Sequence, residues 1–222
     1  AKTGDKPVTD MALVAQANTF LVAGTETTAN TLSFAIYLLS THPEAEQQLL
    51  AEVDAHGDKP VAPDDKFPFA DAVVNESMRM YPAAPSTTRE LEGPGPHQVG
   101  TYKLPEGVAC LIHIYSLHHD PDSWPEASKF MPQRFLPQYA AELGPRNPNS
   151  FVPFGAGPRM CIGYKFAQQE ARMALVSLYK RFTFDLEPGQ VPLKTVTGIT
   201  LSPSALRVRP VRRPVRAATA TE

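Results

Sequence analysis

The sequence predicts a mainly α-helical fold with small β-sheets. Three observations carry this. Thr9 to Thr41 is a long, largely apolar segment without proline; two more helix-forming stretches follow, bracketed by proline; and the strand-like runs after them are all short. With 222 residues, 42% apolar and 20% charged, the chain holds material for a sizeable core, which excludes a disulfide-stapled miniature. Cys110 and Cys161 offer no disulfide framework and suit a reducing compartment. Twenty-one basic against 23 acidic residues leave no basic footprint for whole-surface nucleic-acid binding.

The first helix is expected from Thr9 to Thr41, with Thr9 and Asp10 offering cap oxygens and Pro43 marking the break beyond it. Phe20-Leu21-Val22 sweep much of its circumference, and Phe34 to Leu39 is nearly all apolar. A helix apolar all round belongs in the middle of a large body or in a membrane. Gln16, Asn18, Glu26 and Asn30 argue against lipid. Such a rod is about 50 Å long, whereas a compact chain of this size has a radius of gyration of about 17 Å. The expectation is a part of something larger. Neither a signal peptide nor a membrane-length anchor stands in the sequence.

A second helix is predicted from Pro43 to about Ala55, with Gly57 placed to end it, and a third from Phe69 to Met80, stopping before Pro82. Tyr102-Lys103-Leu104, the turn Pro105-Glu106-Gly107 and Val108 to Tyr115 read as a hairpin. Sixteen of the 23 prolines fall between Pro60 and Pro158, so residues 120–158 are expected to be a long, ordered, functional coil. A helix from Cys161 to Arg181 and short strands near 182–187 and 199–209 complete the fold. Residues 209–222 read as a disordered Arg/Pro-rich tail.

The strongest chemical signal is Phe154-Gly155-Ala156-Gly157-Pro158-Arg159-Met160-Cys161-Ile162-Gly163, a glycine-rich loop that carries a cysteine to a helix start. A helix N-terminus favours anionic sulfur. Gly157 and Gly163 remove side chains where a flat cofactor would approach, Arg159 would pair with its carboxylate, and Phe154 would shield the sulfur. A thiolate axial ligand to haem iron uses all five positions. A phosphate loop lacks its Gly-Lys-Ser/Thr here, a dinucleotide fingerprint lacks its third glycine, and Cys161, Cys110, His113, His118 and His119 match no zinc spacing.

Three weaker signals stand beside it. Ala23-Gly24-Thr25-Glu26-Thr27-Thr28 lowers helix propensity in mid-rod, which would permit a bulge or kink, and places an acid and an alcohol suited to proton relay. Glu76 and Arg79 share a helix face. Phe130-Met131-Pro132-Gln133-Arg134-Phe135 brings an arginine that would join that pair. Each of these three, taken singly, is more often an ordinary polar patch.

Together and in this order, the four segments resemble the cytochrome P-450 family of haem-thiolate monooxygenases, most of all its eukaryotic, microsomal-type members. Phe154 to Gly163 satisfies the family's Phe-x-x-Gly-x-Arg-x-Cys-x-Gly pattern, Ala23 to Thr28 its oxygen-activation motif, Glu76 and Arg79 its Glu-x-x-Arg pair, and Arg134 the arginine of its Pro-Glu-Arg-Phe segment, with Gln133 in place of the glutamate. Leu117-His118-His119-Asp120-Pro121 and Trp124-Pro125 resemble the stretch leading into that segment. The implied fold is the carboxyl-terminal portion of the family fold: long central helix, Glu-x-x-Arg helix, coil meander, cysteine loop and proximal helix, over residues 1–208.

The resemblance implies haem b with its iron ligated by Cys161, cofactor contacts from Arg159, Phe154, Gly157, Gly163 and Arg89, and proton delivery by Glu26 and Thr27. A structural network of Glu76, Arg79 and Arg134 is also implied. Residues 84–88 and 198–200 would line the pocket of a lipophilic substrate, with dioxygen as co-substrate and an NADPH-dependent reductase as electron donor, docked with help from Lys165, Arg172 and Lys180. The full-length protein would reside at the endoplasmic reticulum membrane, or in a plastid, through a region preceding Ala1. A haem-thiolate isomerase or dehydratase, and a truncated haem-binding protein without turnover, are the alternatives.

Overall fold

A computed structural model describes residues 8–142 and 147–214. Helix α1 runs Asp10–Thr41, and the Thr9 hydroxyl accepts from Ala12 N–H at its start. Helix α2 runs Pro43–His56 and ends on Gly57, whose φ of 71° favours glycine. Helix α3, Pro68–Met80, has no cap from its own sequence. The Glu52 carboxylate of α2 takes that role, accepting from Phe69 N–H at 2.8 Å and Ala70 N–H at 2.9 Å.

Strands β1 (Thr87–Glu90), β2 (His97–Val99), β3 (Tyr102–Leu104) and β4 (Ala109–Ile112) follow, then helix α4 (Ile114–His119). The meander carries a 3-10 turn, Pro132–Phe135, a short helix α5, Pro137–Glu142, and a second 3-10 turn, Pro148–Ser150. Helix α6 (Tyr164–Tyr179) and strands β5 (Phe182–Leu186), β6 (Thr195–Thr197), β7 (Leu201–Pro203) and β8 (Val208–Arg212) close the order. Among the described residues the strands form four two-stranded antiparallel sheets: β1 with β4, β2 with β3, β5 with β8, and β6 with β7.

The core lies where α1, α2, α3 and α6 meet. Ala35, Leu38 and Leu39 of α1 pack with Leu49 and Val53, with Phe69, Ala70 and Val73, and with Ala171, Leu175 and Val176. Burying each large apolar side chain contributes about 1.5–3 kcal/mol. Tyr81, just past α3, stacks on Phe34 with ring centroids 4.4 Å apart.

Several expectations are corrected. The predicted hairpin does not form. Gly107 N–H bonds Leu91 O and Leu91 N–H bonds Val108 O, so the turn at 105–107 returns the chain to β1. The hairpin is instead β2–β3, joined through Gly100, whose φ is 58°. Ile114 and Tyr115, expected as the end of the second hairpin strand, instead open helix α4. The low propensity of Gly24–Thr28, which would permit a bulge or kink, does not interrupt the helix: α1 is helical throughout, and Thr27 Oγ1 donates to Ala23 O at 2.7 Å.

The disordered tail was also misplaced. Residues 209–212 belong to β8, where Pro210 sits opposite Phe184 in a two-stranded sheet that tolerates a missing donor. Arg213 then anchors the chain, donating to Tyr179 O and the Asp54 carboxylate, both at 2.6 Å. The rest of the expected tail, 215–222, lies outside the described residues.

Burial along α1 is uneven. Thr28, Thr31, Phe34, Ala35, Tyr37, Leu38 and Leu39 are buried, while every residue from Asp10 to Glu26 is exposed, Val22 by 72%. The apolar girdle read from the sequence is real, but α2, α3 and α6 cover only its carboxyl-terminal half.

Candidate functional site

The loop before α6 is built by two glycines in the left-handed region, Gly155 at φ 75° and Gly157 at φ 70°. Three main-chain bonds close it: Gly155 N–H to Val152 O at 2.9 Å, Met160 N–H to Gly157 O at 3.0 Å, and Cys161 N–H to Phe154 O at 2.9 Å. Gly157–Arg159 forms a 3-10 turn. The helix starts later than the sequence suggested. Tyr164 is its first residue and Gly163 its cap, so Cys161 lies outside the helix, just before the turn that leads into it.

Cys161 is free and exposed, as are Arg159 and the apolar neighbours Met160, Ile162 (86% exposed) and Phe166. Phe154 is half-buried against the core, its ring 6.3 Å from that of Tyr164. Gly163 is informative. Its φ is −89°, and a Cβ built there would meet Cys161 Sγ at 4.0 Å and no other atom within that range. Neither backbone conformation nor packing inside the chain calls for glycine at this position. The donor set therefore fits a flat apolar group pressed against the loop: a soft sulfur at the centre, bare backbone beside it, and exposed apolar side chains around. Among the described residues no group of three or more His, Cys, Asp or Glu is placed to hold a metal ion, so an iron here would bring its other ligands with it.

Behind the loop lies a buried charge cluster. Arg79 binds Glu76 in bidentate fashion, Nε to Oε2 at 2.7 Å and Nη2 to Oε1 at 2.8 Å, and both side chains are fully buried. Arg134 brings its Nε to 3.4 Å from Glu76 Oε1 and donates from Nη2 to Glu126 O at 2.9 Å. Met131 N–H also donates to Glu76 Oε1, at 2.9 Å. Arg79 donates further to His118 O at 2.9 Å and Lys129 O at 3.2 Å, and its Cζ lies 5.2 Å from the Trp124 ring centroid. Charges this deep persist only when their hydrogen bonds are filled. Gln133 points away, donating to Gln48 at 3.1 Å, so the loss of a glutamate there leaves the cluster untouched.

Farther along α1 from the core, Glu26 Oε1 accepts from Thr200 Oγ1 at 2.5 Å, and Leu201 N–H bonds Ala83 O at 2.9 Å. The acid of α1, the chain after α3 and the β6–β7 turn are thus drawn together. Arg89, on β1, donates to Thr87 Oγ1 at 3.0 Å and Thr88 O at 2.8 Å.

The proposed docking face of α6 is corrected. Arg172 is tied to Asp71 at 3.3 Å and to Pro63 O at 2.9 Å. Lys180 donates to Gly57 O at 2.9 Å, to Lys59 O and to the His56 ring. Of the three basic residues, Lys165 alone remains on the outer face, over the Tyr164 ring at 5.9 Å.

Three contributors take structural roles beyond the sequence expectation, which places Trp124 and His118 only in the stretch leading to Arg134 and Thr200 only in the pocket lining. Trp124 is fully buried, its Nε1 shared between Leu117 O and Ser150 O at 3.2 Å each. His118 is fully buried between α3 and the loop. Thr200 holds Glu26. The bonds that tie them to Ser150, Val152 and Glu26 reach partners distant in the chain, which no local pattern specifies.

Comparison with known proteins agrees with this arrangement. A family model described as Cytochrome P450 matches residues 1–209. Thromboxane-A synthase of Mus musculus is 38% identical over 204 residues, covering 89% of this chain and 37% of its own length. Cytochrome P450 3A28 of Bos taurus is 37% identical, covering 92% of this chain and 41% of its own length. Among solved structures, cytochrome P450 CYP102L1 superposes with a TM-score of 0.82 at 33% identity, and the cytochrome P450DA heme domain with 0.84 at 29% identity. Each covers 96% of this chain, which spans 48% and 47% of theirs. Members of this family carry haem on a cysteine thiolate. The chain belongs to the cytochrome P450 family.

Proposed function

We propose that the chain is the carboxyl-terminal, haem-binding portion of a haem-thiolate monooxygenase that inserts one atom of dioxygen into a lipophilic organic substrate. The observation that carries this reading is the exposed Cys161 on its glycine-turned loop, backed by the buried Glu76 cluster. Haem b bound through Cys161 would supply the binding and activation of dioxygen, with the thiolate donating electron density.

The residues of this chain do the rest. Arg159 and Arg89 pair with the carboxylates of the cofactor, Phe154 keeps water from the sulfur, and Gly157 and Gly163 leave room for close approach. Glu26 would take up a proton from solvent and hold it at its carboxyl group, while Thr27, its own proton held by Ala23 O, would offer its oxygen as an acceptor. Residues 84–88 and 198–200 form the near wall of the substrate site. Electrons come from an NADPH-dependent reductase. Among the described residues no helix is long and apolar enough to cross a membrane, so residence at the endoplasmic reticulum or a plastid would be set outside them.

The test is turnover of the full-length, haem-loaded protein with reductase under isotopically labelled dioxygen. The proposal expects one labelled oxygen atom in the product and none in its absence. A second reading, a haem-thiolate isomerase or dehydratase, draws on the thromboxane-A synthases among the relatives. Turnover of a fatty-acid hydroperoxide without reductase would establish it instead. A protein that binds haem and turns over neither substrate class would be a non-catalytic binding protein.

A further inference from the structure

We infer that His118 is a positioning residue that couples the buried Glu76 cluster to the cysteine loop, fixing where the Cys161 sulfur is presented. The inference rests on the reading of Cys161 as the haem ligand.

His118 lies in the last turn of α4 and is wholly buried. It is held on two sides. Its main-chain carbonyl accepts from Arg79 Nη1 at 2.9 Å, from the same guanidinium that closes on Glu76. Its ring Nε2 meets Val152 N–H at 3.0 Å. A main-chain amide only donates, so Nε2 must be the bare nitrogen and the ring proton sits on Nδ1. Nδ1 faces the backbone of Met78 and Arg79 without a well-formed bond to either. The ring also packs on Phe151, centroids 5.2 Å apart, and Phe151 in turn contacts Trp124 and Phe135.

Beyond Val152 the chain of contacts continues into the loop. Val152 O accepts from Gly155 N–H, and Phe154 O accepts from Cys161 N–H, both at 2.9 Å. The polar path therefore runs from Glu76 through Arg79 and His118 to Val152, and from there through the closed loop to the main chain of Cys161. The acceptor at Nε2 is its one side-chain step into the loop. A neutral ring is required there, and burial supplies it by pushing the His118 pKa down to about 4.

The discriminating substitutions separate the acceptor from the packing. His118→Gln places an oxygen near the Nε2 position and can still accept from Val152; His118→Phe keeps an aromatic ring and removes the acceptor; His118→Asn is too short to reach. Each is made in the full-length, haem-loaded protein. Two readouts follow: the ratio of thiolate to thiol adducts in the carbon monoxide spectrum of the reduced iron, and the reduction potential of the iron.

Losing the acceptor should shift the adduct ratio toward thiol by about tenfold and raise the potential, for both Phe and Asn, while Gln stays near wild type. Should the Phe protein not fold, the Asn and Gln pair carries the comparison. Equal behaviour of Gln and Asn, whether both intact or both lost, would overturn the inference, because the acceptor would then be immaterial. A wild-type protein without a thiolate adduct would instead sink the assignment of Cys161 itself.

Discussion

The two sides of the cysteine loop differ sharply in burial. Behind it, Glu76, Arg79, Arg134, His118 and Trp124 are at most 2% exposed and tied together by a dense set of hydrogen bonds. In front of it, Cys161, Arg159, Ile162 and Phe166 stand open, as does the amino-terminal half of α1. A charged cluster is inside, and apolar Ile162 and Phe166 stand outside beside Arg159, the reverse of where charged clusters and large apolar side chains usually lie. A face of this kind is made to be covered, while the cluster behind it pairs its buried Glu76 with two arginines inside the chain. The fold invests its rigidity in support, and leaves the reacting face to be completed by a cofactor.

That contrast can be broken from either side. The largest effect is expected at Glu76. Glu76→Ala leaves two buried arginines without their counter-charge and should cost about 3–5 kcal/mol, read by denaturant unfolding. Next comes acid. The folded state holds His118 neutral down to about pH 4, whereas the unfolded chain takes up the proton near 6.5. Desolvation is the main cause, and the charges of His119 and Arg79 add to it. Between those values the unfolded state binds more protons, so stability is full above pH 6.5 and falls as pH drops toward 4, by about 3 kcal/mol in all. Unfolding curves across that window should show the slope in wild type and a clearly shallower one in His118→Gln, where His119, also pushed down by burial, keeps its own contribution.

Smaller effects follow. The Arg172–Asp71 pair is partly exposed at 3.3 Å, so Asp71→Asn should change stability by at most about 1 kcal/mol, seen as a small shift in denaturant midpoint. Smallest of all, Cys161→Ala should move stability by no more than about 0.5 kcal/mol, since the thiol is exposed and carries no packing.

The sequence carried different parts of this picture unequally. Helices α2 and α3 were placed within one or two residues, because Pro43, Gly57, Pro68 and Pro82 punctuate the chain with fixed backbone geometry. Strand pairing was misjudged. A turn at Pro105–Gly107 looks like a hairpin from inside its own window, yet β4 is claimed by β1, some twenty residues upstream. The Arg-Pro-Val run hid β8, whose order comes from pairing with Phe182–Leu186 and from the Arg213 anchor on Asp54. The site shows the same division. Cys161, Gly157 and Arg159 announce themselves in one ten-residue stretch. The bonds from His118 to Val152 and from Glu26 to Thr200 join positions 34 and 174 residues apart, and no local pattern encodes them.

The central claim is that Cys161 presents its sulfur to haem iron while contributing nothing to the folded core. The most direct measurement is the carbon monoxide spectrum of the reduced, haem-loaded full-length protein, taken for wild type and for Cys161→Ala side by side. The account predicts a strongly red-shifted Soret band in wild type and its complete loss in the variant, with the unfolding transition of the apoprotein unchanged. A shifted band that survives the substitution, or a properly folded wild-type protein that never shows one, would contradict it.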